Sequence, residues 1–348
     1  MLFRIFLFLF LPLFGLNAKG ENLNIYSWSE YFSQEILEEF EKETGIKVHL
    51  DTYTNNQEMY ANVRLIYEHN YDLIMPSTYF ILPLREKGLI QKIDKTKIPN
   101  FKNISQNFLG QFYDVYNQYS IPFLFRIMGL AYNEKTLNGI HIHSWRDLWR
   151  DEFKGKVAII KDYQKMLQVS LVSLGYSRNT KEEEKITKAF EELLILAKNA
   201  NFIDFSKINN EDLISFFDGN NAIATMWIND VKAIQKYNKN IHFIIPKEGG
   251  MIWMDSFALT ANAKNIENAY KFINFTLRPD ISVKIANNIK FNTTLKYDLI
   301  KQNLNLDNYQ NIVFMSDDEL NHFEFEVDIG QNLLIYIKYW DELKRIFN

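Results

Sequence analysis

The sequence predicts an α/β fold in two lobes. Three observations carry that expectation. Residues 23–75 alternate strand-like and helix-like segments with short connections, a second alternation starts at Val157, and two long apolar runs, residues 120–133 and 251–261, are suited to crossing between halves. At 348 residues the chain can bury one large core or two smaller ones, and two are favoured at this length.

Residues 23–26 read as a buried strand, and residues 33–44 as an amphipathic helix with Ile36, Leu37 and Phe40 on one face and acids on the other. Gly45 closes that helix, and residues 46–53 read as the next strand. Residues 56–67 are helical again, and residues 72–75 form a short apolar strand ending at Pro76-Ser77-Thr78. Strand, helix, strand, helix, strand with short links describes a parallel sheet. Ligands of such sheets sit beyond the carboxyl ends of the strands. Trp28, Tyr31, Ser77 and Tyr79 all follow a strand directly, which makes them candidate site residues. The run 120–133 has a small residue in its middle, and helices around 164–174 and 181–199 follow Val157. With no repeat, no low-complexity stretch and no Pro/Gly-rich linker, the lobes must be joined by several close strands.

The chain opens with Met1-Leu2-Phe3-Arg4, an apolar run from residue 5 to 14, and Gly15-Leu16-Asn17-Ala18. A positive start, a short apolar segment and a small residue near its end describe a cleaved signal peptide, residues 1–18. The run is shorter than the roughly 20 residues a membrane span needs. Zero cysteines exclude disulfides, so stability must come from a well-filled core, and they exclude a lipid-modified Cys anchor. A soluble exported protein with no anchor is retained only where an outer membrane encloses it, which points to the periplasm. A net charge of −4 offers no basic stripe and argues against nucleic acid and anionic membranes.

Three places bring Trp close to a carboxylate: Trp28 with Glu30 and Tyr31, Trp227 with Asp230, and Trp253 with Asp255. A Trp face attracts a cation and a carboxylate neutralises one, so the pattern suits capture of an ammonium compound. Trp145 and Trp149 are spaced as a helix packing face and are assigned to core. His141 and His143 have no third ligand nearby, so no metal or cofactor is expected. There is no G-x-S-x-G elbow and no phosphate-cradling loop, and no nucleophile is paired with Asp162 or Asp255 to make an enzyme.

The motifs Tyr26-Ser27-Trp28-Ser29-Glu30-Tyr31, Tyr71-Asp72-Leu73-Ile74-Met75-Pro76-Ser77-Thr78-Tyr79, Ser144-Trp145-Arg146-Asp147-Leu148-Trp149, Pro246-Lys247-Glu248-Gly249-Gly250, Trp253-Met254-Asp255-Ser256 and Leu277-Arg278-Pro279-Asp280 occur in that order. In this the chain resembles the periplasmic spermidine/putrescine-binding proteins of polyamine ABC transporters, over nearly its whole mature length. The resemblance implies a two-lobed type II periplasmic-binding fold, each lobe a mixed, mostly parallel sheet flanked by helices. The expected division is 21–125 plus 258–305 for lobe 1 and 126–257 plus 306–348 for lobe 2.

By the same resemblance, aromatic walls fall on Trp28, Tyr31, Tyr79, Trp227 and Trp253, and ammonium-binding acids on Asp162 and Asp255. Asp230 and Glu30 match further acids, and Ser29 lies in the opening motif. Ser77 matches a polar contact. Phe291 stands where the family has Tyr, and Glu326 where it has Gln. Two departures add positive charge: Lys165 replaces a family Glu and Arg126 a small residue. They either reach solvent at the cleft rim or face the cleft, where like charges oppose a cation. The expected function is a monomeric periplasmic receptor that closes on spermidine or putrescine and delivers it to an inner-membrane ABC permease. A zwitterionic ammonium ligand, such as a choline phosphodiester or a carboxylated polyamine, is the alternative. A ligand sensor is a further one.

Overall fold

The computed structural model describes residues 21–65, 70–137, 139–203, 217, 221–309, 312–320, 323–325 and 333–347. The expected signal segment and Glu326 lie outside the described residues. Strands β1 (Asn22–Trp28), β2 (Lys47–Tyr53) and β3 (Leu73–Ile74) build the first half, with helices Gln34–Thr44 and Asn56–Val63 between them. Gly45 ends the first helix at φ 74°, its N–H donating to Glu41 O at 2.8 Å. This is the left-handed stop that the lack of a Cβ makes easy. Then come β4 (Ile121–Asn133), β5 (Val157–Ile160), β6 (Ala200–Ile203), β7 (Ile223–Trp227), β8 (Ile241–Ile244), β9 (Met251–Leu259), β10 (Asn292–Thr293) and β11 (Glu324–Phe325).

The strands are ordered β2-β1-β3-β9-β4-β7-β5-β6, with β8 and β10 also on β4 and β11 on β9. Outer strands pair in parallel, β1 with β2 and β3, β5 with β6 and β7. The central β4 and β9 run antiparallel to each other and to their other neighbours β3 and β7. This is the mixed α/β arrangement expected.

Two main cores lie on either side of the central pair. Leu23, Ile25, Phe40, Leu73, Phe123, Phe257 and Phe272 belong to the first. Met128, Leu130, Trp145, Ile159, Leu167, Phe190 and Leu193 belong to the second. A smaller cluster with Ala131, Ala158, Ala224 and Met226 covers the other face of the same second-half strands, as alternation along each strand requires. Trp145 is fully buried and its indole N–H donates to Gly249 O at 2.8 Å.

Along β9, Ile252, Met254 and Phe257 pack in the first core, while Met251 belongs to the second and Trp253 packs against it. On β4, Ile127 belongs to the first core and Met128 to the second, and their register partners on β9 are Ile252 and Met251. Further along the chain, Ile312, Met315 and Leu320 belong to the first core, while Tyr336, Tyr339 and Leu343 of helix Leu333–Phe347 join the second.

Two features hold the central strands in place. On β4, a Cβ at Gly129 would lie 2.4 Å from Ile244 O and 2.6 Å from the Phe243 ring, so only glycine lets β8 come this close. Buried Arg178 donates to Gln168 Oε1 at 2.7 Å, Glu324 O at 3.1 Å and Ile252 O at 3.4 Å, tying the second half to β11 and β9.

Candidate ligand-binding site

Strand ends deliver one wall. β1 lies between β2 and β3, so the residues after it and those after β3 emerge side by side. Trp28 ends β1. Its indole N–H donates to Met75 O at 3.1 Å, and its ring lies 4.8 Å from Tyr53. Ser77 follows β3 and bridges to Asp255 of β9.

Asp255 is the centre of this wall. It is fully buried and accepts hydrogen bonds from Ser77 Oγ at 2.6 Å, from Trp253 Nε1 at 3.3 Å and from the Tyr31 hydroxyl. Burial pushes its carboxyl up to about 6, although these three donors and the Lys165 charge pull the other way. Burial and the Asp255 charge raise the Tyr31 hydroxyl well above its usual range, so it keeps the proton that it donates to Asp255. Among the described residues no cation is within ion-pair distance of Asp255; the nearby cations pair elsewhere.

Tyr79 stands edge-on to Trp253, ring centres 5.5 Å apart at 72°, and Phe291 edge-on to Tyr31 at 5.5 Å. Asn56, which the sequence reasoning did not single out, organises this wall. Its Nδ2 donates to Ser77 Oγ and Tyr79 OH, both at 3.0 Å, and its Oδ1 accepts the Ser77 N–H at 3.1 Å. Nothing in the sequence marks it; its burial in the first turn of a helix, seen only in the structure, obliges it to find partners.

The second half supplies the facing wall. Asp162 caps helix Tyr163–Ser173, Oδ1 accepting the Lys165 N–H at 3.1 Å while Oδ2 pairs with the Lys165 ammonium. N-capping brings the third helical residue beside the cap, which sets the side chain of Lys165 against Asp162. The Lys165 ammonium lies 4.5 Å from the Trp253 ring centre and 5.8 Å from that of Trp227. Trp227 ends β7 and Asp230 sits in the first turn of the helix that follows. Asp230 Oδ2 accepts from Arg126 Nη2 at 2.9 Å. The Arg126 guanidinium lies between two rings, 4.5 Å from Trp227 and 5.0 Å from Phe291. Burial lowers the Arg126 pKa from its ordinary value and Asp230 opposes the change; an Arg stays charged throughout.

The structure therefore gathers Trp28, Tyr31, Ser77, Tyr79, Asp162, Trp227, Asp230, Trp253, Asp255 and Phe291. Arg126 and Lys165 join them, and neither reaches out past the rim: their side chains are 20% and 16% exposed. Ser29 and Glu30 lie exposed on the turn after β1. The assembly is an aromatic box around one buried carboxylate, flanked by two internal ion pairs.

Residues 35–296 match the family of bacterial extracellular solute-binding proteins. The chain is 35% identical over 327 residues to the spermidine/putrescine-binding periplasmic protein of Escherichia coli (strain K12), covering 93% of this chain and 92% of that one. It is 33% identical over 335 residues to spermidine/putrescine-binding periplasmic protein 1 of Haemophilus influenzae, covering 94% and 90%. A solved spermidine/putrescine ABC transporter substrate-binding protein from Streptococcus pneumoniae superposes with TM-score 0.78 at 27% identity, covering 94% of this chain and 100% of that one.

Proposed function

The chain belongs to the bacterial extracellular solute-binding proteins, a family of binding proteins and not of enzymes, and from that premise we propose that it is the periplasmic polyamine receptor of an ABC transporter. In this reading the signal segment exports the chain, and the soluble monomer holds spermidine or putrescine between its halves. It then hands the ligand to an inner-membrane permease. No helix among the described residues is long and apolar enough to cross a membrane.

One observation supports the reading above the others. Asp255 is a buried carboxylate with three neutral donors and, among the described residues, no ion-pair partner, set among Trp253, Tyr31, Tyr79 and Trp28. An ammonium placed there gains a charge-assisted hydrogen bond of about 1.5–3 kcal/mol and ring-face attraction of about 0.5–2 kcal/mol. Neighbouring groups come from both halves, so ligand contacts complete only when the halves close, and the ligand selects the closed state. A thermal-shift screen tests the proposal. Putrescine or spermidine raises the melting temperature with the logarithm of its concentration. A screen in which no amine moves the curve contradicts it.

A zwitterionic ligand is the second reading, and one atom favours it. Arg126 Nε is buried without a hydrogen-bond partner, which leaves a donor for an acceptor on the ligand. Glycerophosphocholine in the same screen separates the two readings.

A further inference from the structure

Two of the charge positions expected to serve the ligand are filled from within the chain. Lys165 places an ammonium against Asp162 and over the Trp253 ring, 4.5 Å from its centre. Arg126 places a guanidinium 2.9 Å from Asp230 and over the Trp227 ring, 4.5 Å from its centre. Each cation has the pair of partners, one carboxylate and one indole face, that a bound ammonium would have. Neither is loosely held. Arg126 has Phe291 on its other side at 5.0 Å, and Lys165 is fixed by the helix cap that its own N–H makes with Asp162.

We infer that Lys165 and Arg126 are built-in occupants of two ammonium positions, so that the site takes a short diamine and discriminates against triamines and tetraamines. The inference rests on the amine reading above and names the class of amine. Charge counting supports it. Asp162 is neutralised by Lys165 and Asp230 by Arg126, which leaves Asp255 as the carboxylate without an internal cation in the described part of the site. One ammonium fits there. The second end of a diamine is left to lie away from the two internal cations; Glu30 is exposed on the turn that follows Trp28. A third ammonium meets Lys165 or Arg126 and must displace it from both of its partners, or bear like-charge repulsion at short range.

The test is titration calorimetry of the full mature chain with putrescine and with spermidine, at one pH and salt concentration. The wild-type chain is expected to bind putrescine at least about tenfold more tightly than spermidine. Lys165→Gln and Lys165→Met remove the tethered charge and free Asp162 for a ligand ammonium. Each is expected to shift the spermidine-to-putrescine affinity ratio about tenfold or more towards spermidine, the effect of one added charge-assisted contact. Wild-type binding of spermidine as tight as or tighter than putrescine overturns the inference while leaving the polyamine reading intact. An unchanged ratio in a folded Lys165 variant also overturns it. Absence of binding to either amine overturns both. The wild-type ratio decides the matter even if both variants fail to fold.

Discussion

Trp253 and Asp255 are two residues apart on one strand, and the indole N–H of the first donates to Oδ1 of the second at 3.3 Å. Residues i and i+2 of a strand share a face, so β9 presents an aromatic wall and an anion to the same side as one unit. Each depends on the other. The ring shields the carboxylate from water, and the carboxylate fixes the ring's orientation.

Replacing Trp253 by Ala removes the ring face next to Asp255, one of its three donors, and the surface over which Lys165 rests. Affinity for amine should fall by about 2 kcal/mol, roughly thirtyfold, as for a hot-spot aromatic. Trp253 is only partly buried, so the melting temperature of the ligand-free chain should fall much less. Titration and ligand-free melting curves, measured side by side, check both statements.

Asp255 should make binding and stability depend on pH in opposite senses. Its carboxyl is pushed up to about 6 by burial, against Ser77, Tyr31, Trp253 and Lys165. An unfolded Asp titrates near 4. A raised folded value contributes stability that is full below about pH 4 and lost as pH rises through about 6. Amine binding needs the ionised form, so affinity should rise with pH up to about 7 and level off above. Near pH 6, binding should release protons, and repeating the calorimetry in buffers of different ionisation heat measures that release directly.

Removing Asp230 leaves Arg126 as an unpaired, largely enclosed cation between Trp227 and Phe291. Breaking a fully buried pair costs about 3–5 kcal/mol, and partial exposure reduces this, so Asp230→Ala should destabilise the chain by about 2 kcal/mol. Adding Arg126→Met should recover most of the loss, because the stranded charge is gone. Urea unfolding of the two single variants and the double variant gives the coupling.

Much of the fold was legible because local chemistry and tertiary demand agree. The apolar stripe of Ile36, Leu37 and Phe40 with Gly45 behind it specifies a helix and its end, and the structure has that helix at Gln34–Thr44. The two-residue strands β10 and β11 were not legible, since pairing with β4 and β9 defines them and no periodicity of their own does. The candidate residues that the structure brings together had been singled out by placement after strands and by motif. What spacing could not supply was side-chain direction. Lys165 faces the site because Asp162 caps its helix, and Arg126 because its neighbours Phe125 and Ile127 are both taken by the first core. The antiparallel register of β9 on β4 was likewise not legible, since long-range pairing alone fixes it.

Gly129 should tolerate no side chain. A methyl group there meets the Ile244 carbonyl at 2.4 Å, and backbone cannot swing aside as a side chain can. Gly129→Ala is expected to cost about 1–3 kcal/mol, read as a lower urea midpoint with an unchanged slope.

The central claim is that Asp255 receives the ligand's ammonium. Its most direct test is titration calorimetry with putrescine at pH 7.5, comparing the wild-type chain with Asp255→Asn, which keeps the shape and removes the charge. The account predicts one-to-one binding by the wild type and a loss of about ten- to a hundredfold in the variant, the measure of one buried ammonium–carboxylate contact. A wild-type chain that binds no amine, or an Asp255→Asn chain that binds putrescine as tightly as the wild type, would contradict it.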